Sequence, residues 1–575
     1  MSDSDNPDSF AEHHMHPSPA DTPGPATGTA SGESHEGVEQ SFKSVGYGRR
    51  WYDPFYNLLR FFQYSWLGKR LPASWRRRFY YMSNYLVQLN EVKRMIAVGG
   101  RAWDEPLNLP DAEHASIPGI WVVDYFPPSL IDELDRAIRA NRWDNRPHLG
   151  MGQSSAEALK DSRQGSGPSW WRIADISTRG AGFGFPDGYQ EKLPKEFRAV
   201  ELKGVPIGEG LTAVVAYFHL SERGSASVDE VWHAEHRPAL ARTKGRLVVA
   251  EGEKWTAFRQ TQAARDKLHA AARDWMSLHC PGAFVKAKEH QPAMDLLLLD
   301  QFDPSSGERP DRQTDDWMRA LGLTESRVTW RTSGELPGLL LEQSRHGLAP
   351  GIQERTWALW GNRNASNAQG VDIRGYGTDP VFALASYVDG RMGDFVVRLG
   401  LSDLLELFRA ESAMMRDSAR SHHGKFGRRD LKRLRQRFLT ASLDFSSIER
   451  DVKQYNNRRW RDREAWFVLD YTPWLRKQDA EAGRKPFKPI QINKELRKQQ
   501  NKAARDLVSF DRSYREILAT VASLGASIDA YKVQRYAIWI AIGSAVVALV
   551  TLWISLLSPG EAAKGIQEWR TWIQW

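Results

Sequence analysis

The sequence predicts an α+β region, then a mainly α-helical region with heptads arranged as a hairpin or stalk, then one C-terminal transmembrane helix. Three observations carry this. Short apolar runs bounded by turn residues mix irregularly with helical stretches between residues 100 and 395. Two apolar series then repeat with alternating spacings of three and four. A block without a single charge, residues 536–557, follows them.

A chain of 575 residues is long enough for several domains, each with its own core. An apolar content of 41% excludes wholesale disorder. The lone Cys280 cannot form an intramolecular disulfide, which suits a reducing compartment. The net charge of +8 is unevenly spread: residues 1–44 carry eight acids against Lys43, a net of −7, leaving +15 on the rest.

Residues 1–44 hold almost no large apolar side chain, so they cannot offset the entropy of ordering and are expected to be a disordered acidic tail. They lack a basic stretch followed by an apolar one and do not read as a signal peptide. His13, His14 and His16 read as incidental in a polar tail.

Residues 45–99 form an aromatic and basic helical segment. Fourteen aromatics lie between Tyr47 and Tyr85, interleaved with Arg49, Arg50, Arg60, Lys69, Arg70, Arg76, Arg77 and Arg78, and Asp53 is the sole acid. Rings at headgroup depth and cations against anionic lipid would use this mixture through residues 49–78. Packing of snorkelling arginines on the body is the plainer alternative. Nucleic acid is not the expected partner, although stacking plus phosphate contacts use the same residue types.

Residues 100–395 are expected to be the α+β domain. Strands are predicted at 120–126, 211–220, 246–250, 294–299, 327–331, 336–341 and 356–360, and helices at 128–141 and 253–279. No βαβ rhythm is visible, which favours α+β. Residues 164–169 read as an exposed Gly/Ser loop.

Residues 396–535 turn helical, with heptad helices at about 428–460 and 494–535. One seam is Leu431, Leu434, Phe438, Ala441, Phe445, Ile448, Val452 and Tyr455. The other is Leu507, Phe510, Tyr514, Ile517, Val521, Leu524, Ile528 and Tyr531. Each is an a/d pattern held over three heptads. Pro473, Pro486 and Pro489 between them let the chain reverse. The seams are expected either to face each other within one chain, or to pair between chains as a homo-oligomer through 507–531.

Residues 536–557 would span about 33 Å, matching a hydrocarbon core of about 30 Å. Tyr536, Trp539 and Trp553 supply interfacial aromatics. Lys532 and Arg535 flank the N-terminal side, with Arg512 and Arg515 further back; beyond the span, Lys564 and Arg570 are offset by Glu561 and Glu568. Positive-inside bias therefore places the N-terminal bulk in the cytoplasm, anchored by a single pass. Residues 558–575 read as an interfacial amphipathic helix: Ser558-Pro559-Gly560-Glu561 is a helix start, and Ile566, Trp569 and Ile573 share a face beside Trp572.

Candidate chemistry is sparse. Glu230, His233 and His236 follow E-x-x-H-x-x-H, a spacing that puts metal-ligand types within one helical arc, with His219 and Glu235 as possible additions. Surface histidines are the plainer reading. Asp300 and Asp303 close the run 296–299, where strand-end carboxylates can act as acids or merely end a turn; Asp124 is similar. His279-Cys280 reads as a packed thiol rather than an activated one. No phosphate-loop, dinucleotide, zinc-protease or nucleophile-elbow motif occurs, so no cofactor is identified.

The leading expectation is thus a membrane-anchored cytosolic sensor, scaffold or effector. A second arises from layout: an α+β cytosolic domain followed by long helices running into the membrane resembles CorA-type magnesium channels. That family's Gly-Met-Asn signature is replaced here by Ser558-Pro559-Gly560, and its second span is missing. The resemblance implies a subunit of an oligomeric ion-transport protein. A third expectation is a membrane-tethered metal-dependent enzyme using the Glu230/His233/His236 or Asp300/Asp303 groups.

Overall fold

The runs 213–218 and 296–299 carry apolar residues without alternation because both faces of their strands are buried. The computed structural model describes residues 51–98, 107, 109–144, 154–165, 167–179, 188–242, 247–306, 309, 312–323, 328–343, 355–364, 379–421, 428–457, 464–556 and 559–573. The fold mixes helices with a large sheet. The expected acidic tail, with His13, His14 and His16, lies outside the described residues.

The chain divides into two units, one built from residues up to 106 with 237–253, the other from 107–236 with 254–575. In the first, α1 (Asp53–Tyr64) and α3 (Ala73–Val98) pair through a short α2 (Trp66–Arg70). Ser65 caps α2 by accepting the Gly68 N–H at 3.1 Å. A two-stranded ribbon, Ala239–Arg242 with Val248–Glu251, is tied to α3: Val248 and Ala250 N–H donate to Asn84 and Gln88. The sequence segment expected at 45–99 thus recruits a ribbon from far along the chain.

The second unit is built on one eleven-stranded sheet. Its first strand, β1 (Ala115–Phe126), is followed by α4 (Ile131–Ala140), α5 (Ser155–Arg163), β2 (Trp171–Ser177), β3 (Tyr189–Gln190), β4 (Phe197–Pro206), β5 (Thr212–Leu220) and α6 (Glu222–Trp232). After the ribbon come α7 (Glu253–His279), α8 (Ala283–Ala287), β6 (Ala293–Leu299), α9 (Arg312–Ala320), β7 (Thr329–Ser333), β8 (Leu339–Gln343) and β9 (Thr356–Asn362). The rest is α10 (Pro380–Ser421), α11 (Arg428–Asn457), β10 (Phe467–Tyr471), α12 (Pro473–Glu481), β11 (Ile490–Gln491), α13 (Ile492–Leu556) and α14 (Pro559–Ile573).

Strand order is β11-β10-β7-β8-β9-β6-β1-β5-β4-β2-β3. Pairing is antiparallel except β6 with β9 and β2 with β3. Alternation across the pleat sorts the side chains. Ile120, Val122, Phe218 and Leu297 face a core completed by Leu268, Ala272 and Met276 of α7. Trp121, Val123, Tyr217 and Leu296 face the opposite core, closed by α10, α11 and the start of α13. The result is a sheet between two helical layers. The boundary expected at 395/396 falls inside α10, and β10 and β11 return to the sheet edge, so the later helices and the sheet share one core.

Helices α11 and α13 run antiparallel: Ser442 donates to Asp511 at 2.7 Å, while Asn456 reaches the Arg497 carbonyl and Asn501. Phe445, Ile448, Val452, Tyr455 and Leu507 are buried, but in the core shared with α10 and the sheet rather than in an isolated two-helix seam. On α13 the buried stripe is Gln500, Ala504, Leu507 and Asp511, and Phe510, expected on the seam, is 57% exposed. Asp511 is available inside because Ser442 and Arg515 engage its carboxylate. Side chains of most seam residues beyond 512, and of Leu431, Leu434 and Phe438, lie outside the described residues.

A buried network fixes the base of α13. Arg398 on α10 grips Glu464 through Nε and Nη2 at 2.6 and 2.9 Å and reaches Asn456 and Gln500. Glu464 also accepts from Asn493 and Arg497. Burial opposes ionisation of Glu464, yet the Arg398 contacts hold it below the usual carboxylate range. At the β4–β5 turn, Asp451 of α11 accepts the Gly210 and Leu211 N–H at 2.8 and 2.7 Å; a Cβ at Gly210 would collide with Ser447.

Candidate functional site

Charged residues two apart in β4, Glu201 and Lys203, point to the same face of the sheet as Trp121, Tyr217 and His219. The start of α10 covers that face. Lys203 Nζ contacts Asp389 and lies 3.3 Å from Glu201; His219 Nε2 lies 2.7 Å from Glu201 Oε1; Trp121 Nε1 donates to Asp389 at 2.9 Å. Burial works against the Glu201 charge, but Lys203 and His219 outweigh it and hold the carboxylate well below its usual range. On neighbouring β2, burial pushes Asp175 up to about 6, against the pull of Arg172 at 2.8 Å. Glu201, Lys203 and Asp389 bind one another, so the group docks α10 on the sheet. These residues were not singled out from sequence; the only signal of Glu201 and Lys203 was charge at alternate positions in 197–206, and Asp389 carried none.

The sequence candidates land in separate places. Asp300 pairs with Arg363 at 2.8 Å. Asp303 accepts the Ser305 N–H and hydroxyl at 2.8 and 2.6 Å, which is turn chemistry. Buried Asp124 accepts the Tyr125, Gly282 and Phe284 N–H and the Gln291 amide, holding the start of α8; burial nevertheless pushes it up to about 6. Cys280 is buried, and burial drives its thiol well above the ordinary range, which disfavours the thiolate. His279 stacks on Trp275 at 4.4 Å and meets Asn141.

Of the trio Glu230, His233 and His236, Glu230 is exposed and His236 is buried, with burial lowering its pKa. His219 points to the opposite face of the sheet from the core that holds Trp232 of α6. His233 instead meets Asp229, one turn earlier, and His114, which immediately precedes β1. His114 Nδ1 and His233 Nδ1 lie 3.0 and 3.2 Å from the two Asp229 carboxylate oxygens. Among the described residues this is the group of three metal-ligand types whose donor atoms all lie within 4.8 Å of one another. Asp229 is adjacent to the expected Glu230, but His114 is more than a hundred residues away in sequence, and no local pattern could reveal it.

Asp403 on α10 stands apart. Its Oδ2 is buried without a hydrogen-bond partner, and burial pushes the carboxyl up to about 7 despite Arg355 and Arg273 nearby. A raised pKa in the folded state gives stability that is complete below the unfolded value near 4 and lost as pH rises through 7. Asp403→Asn is therefore expected to stabilise the protein at pH 8 by about 1–3 kcal/mol and to leave it nearly unchanged at pH 4. Denaturant midpoints at the two pH values, read by tryptophan fluorescence, check this.

One helix among the described residues is long and apolar enough to cross a membrane: Val533–Leu556, 24 residues, none of its apolar window buried. Two of its hydroxyls bond within the helix, Thr551 to the Val547 carbonyl and Ser555 to the Thr551 carbonyl, both at 2.8 Å. Tyr536, Trp539 and Trp553 are exposed, as are Trp569 and Trp572 of α14. Comparison with known protein families, characterised proteins and solved structures found no match.

Proposed function

We propose that this is a single-pass membrane-anchored protein whose α+β body lies on the cytoplasmic side and acts as a sensor, scaffold or effector. One observation carries the reading: α13 is a single 65-residue helix, locked into the body at Gln500, Ala504 and Leu507, and exposed and apolar over its last 24 residues. At about 1.5 Å per residue that segment is about 36 Å long, enough for a hydrocarbon core of about 30 Å. In water such exposed side chains would be costly; in lipid they are solvated. Lys532 just before it and Arg535 in its first turn, against the balanced charges of 559–573, favour the cytoplasmic orientation.

Two features add to the anchor. In the first unit Arg60 lies over Tyr56 and Tyr64, Arg70 over Trp66 and Arg78 over Trp75, at 4.9–5.9 Å. Its cleft of about 900 Å³ is lined by Phe55, Leu58, Leu59, Tyr81, Met82 and Tyr85. Aromatic and cationic groups so mixed suit anionic headgroups. Exposed Phe510 is available for pairing of a second copy, whereas Leu507, the first position of the expected 507–531 seam, is taken by the body.

The test is fractionation after lysis. The full chain should sediment with membranes, resist alkaline carbonate and dissolve only in detergent. A chain ending at Tyr531 should move to the supernatant. Full-length protein recovered in the supernatant without detergent would refute the reading.

A further inference from the structure

We propose that His114, Asp229 and His233 form a binding site for a divalent transition metal of the zinc class, with one coordination position left open to solvent. Neither the anchor nor the proposed function requires this site, and it differs from the E-x-x-H-x-x-H trio visible in sequence.

The geometry comes first. The two Nδ1 atoms stand 3.0 and 3.2 Å from the Asp229 oxygens. In a tetrahedral site with bonds of about 2.0–2.1 Å, neighbouring donors lie about 3.3 Å apart. The ring centroids of His114 and His233 are 5.5 Å apart, and each Nδ1 stands beside Asp229, that of His233 lying also 3.1 Å from the Asp229 backbone carbonyl. Two imidazoles and one carboxylate are the donors of three-ligand zinc sites, and imidazole disfavours magnesium or calcium.

The support around the donors is rigid. The Ala115 N–H donates to Asp229 Oδ1 at 2.8 Å, fixing the carboxylate. Glu113, itself buried, accepts the N–H groups of His114, Asp300, Gln301 and Phe302 and so holds the segment that carries His114. His233 follows the end of α6, which Trp232 pins into the core. Donors held on fixed elements lose little freedom on binding.

The side chains of His114 and His233 are 54% and 29% exposed, so an ion can enter and its remaining position faces water. Such a position can take a water or a donor from a ligand.

The experiment is calorimetric titration of zinc chloride into the full chain in detergent, with His13, His14 and His16 changed to alanine to remove the tail's histidines. One zinc per chain is expected. His114→Ala and Asp229→Asn should each weaken it at least tenfold, and His236→Ala should leave it unchanged. Of the substituted side chains His114 is more than half exposed, Asp229 is partly covered and His236 is buried, and unchanged circular dichroism would show that each variant is folded. Cobalt(II) in place of zinc should give the visible absorption of a four-coordinate site and lose it in His114→Ala. No zinc uptake by the parent chain, or equal affinity in His114→Ala, would overturn the site; loss on His236→Ala alone would return it to the sequence trio.

Discussion

Asp295→Ala is expected to destabilise the body by about 3–5 kcal/mol, because it strands a charge in the core. Asp295 sits on β6 between Ile120 of β1 and Ala358 of β9. Arg265 of α7 meets it with two hydrogen bonds of 2.8 Å, and His269 lies 3.2 Å away; all three are essentially inaccessible. Burial alone would raise the Asp295 pKa, yet Arg265 and His269 hold it well below the usual range, so the group folds as an ion. Removing the carboxylate leaves the buried Arg265 guanidinium with the uncharged Gln262 and Leu321 carbonyl as its hydrogen-bond partners and Asp266 and Glu342 as weaker charges nearby. The double change Arg265→Leu with Asp295→Leu should recover most of the loss, since an apolar pair restores packing without desolvating a charge. Denaturant unfolding of the three proteins reads both effects; a loss under about 1 kcal/mol in the single variant would mean that the pair adds little.

Glu464→Ala should have a comparable cost with a different distribution. It takes away the partner of Arg398, Arg497 and Asn493 together, and Arg398 has no exposed surface on which to recover hydration. The expected loss is again about 3–5 kcal/mol. Because the network joins α10 to the base of α13, amide protection should fall first over 492–511 and only later in β1, β5 and β6. Hydrogen exchange followed along the chain makes that comparison. Uniform loss across the sheet would show that α13 is not separately held by this contact.

Much of the fold was legible where a single face or a single solvent dictated residue type. Helix α7 was read at its observed bounds because its inward residues repeat at helical spacing between Glu253 and His279. The apolar helix was legible because residues 536–557 carry no charge; the described segment begins three residues before the sequence estimate. Strand β4 escaped because Glu201 and Lys203 face partners on α10 and β5, so its charges imitate a solvated surface. Strand β10 escaped because it is short and stands at the sheet edge, next to β11 of two residues. The α13 heptad was legible as spacing but not as burial: the body engages Ala504, Leu507 and Asp511, turning Phe510 outward. Of the metal-type group, His233 was visible and Asp229 was one residue from the guess. His114 needed the β1–α6 contact that only folding makes.

Spin-label depth along the last part of α13 tests the anchor most directly. With Cys280 replaced by alanine and one cysteine introduced at Val533, Ala545 or Leu556, the reconstituted chain would be exposed to oxygen and to a water-soluble nickel reagent. A lipid-crossing helix requires the Ala545 label to be the deepest, rich in oxygen contact and shielded from nickel, with both ends near headgroup depth. Equal nickel access at all three positions would contradict it.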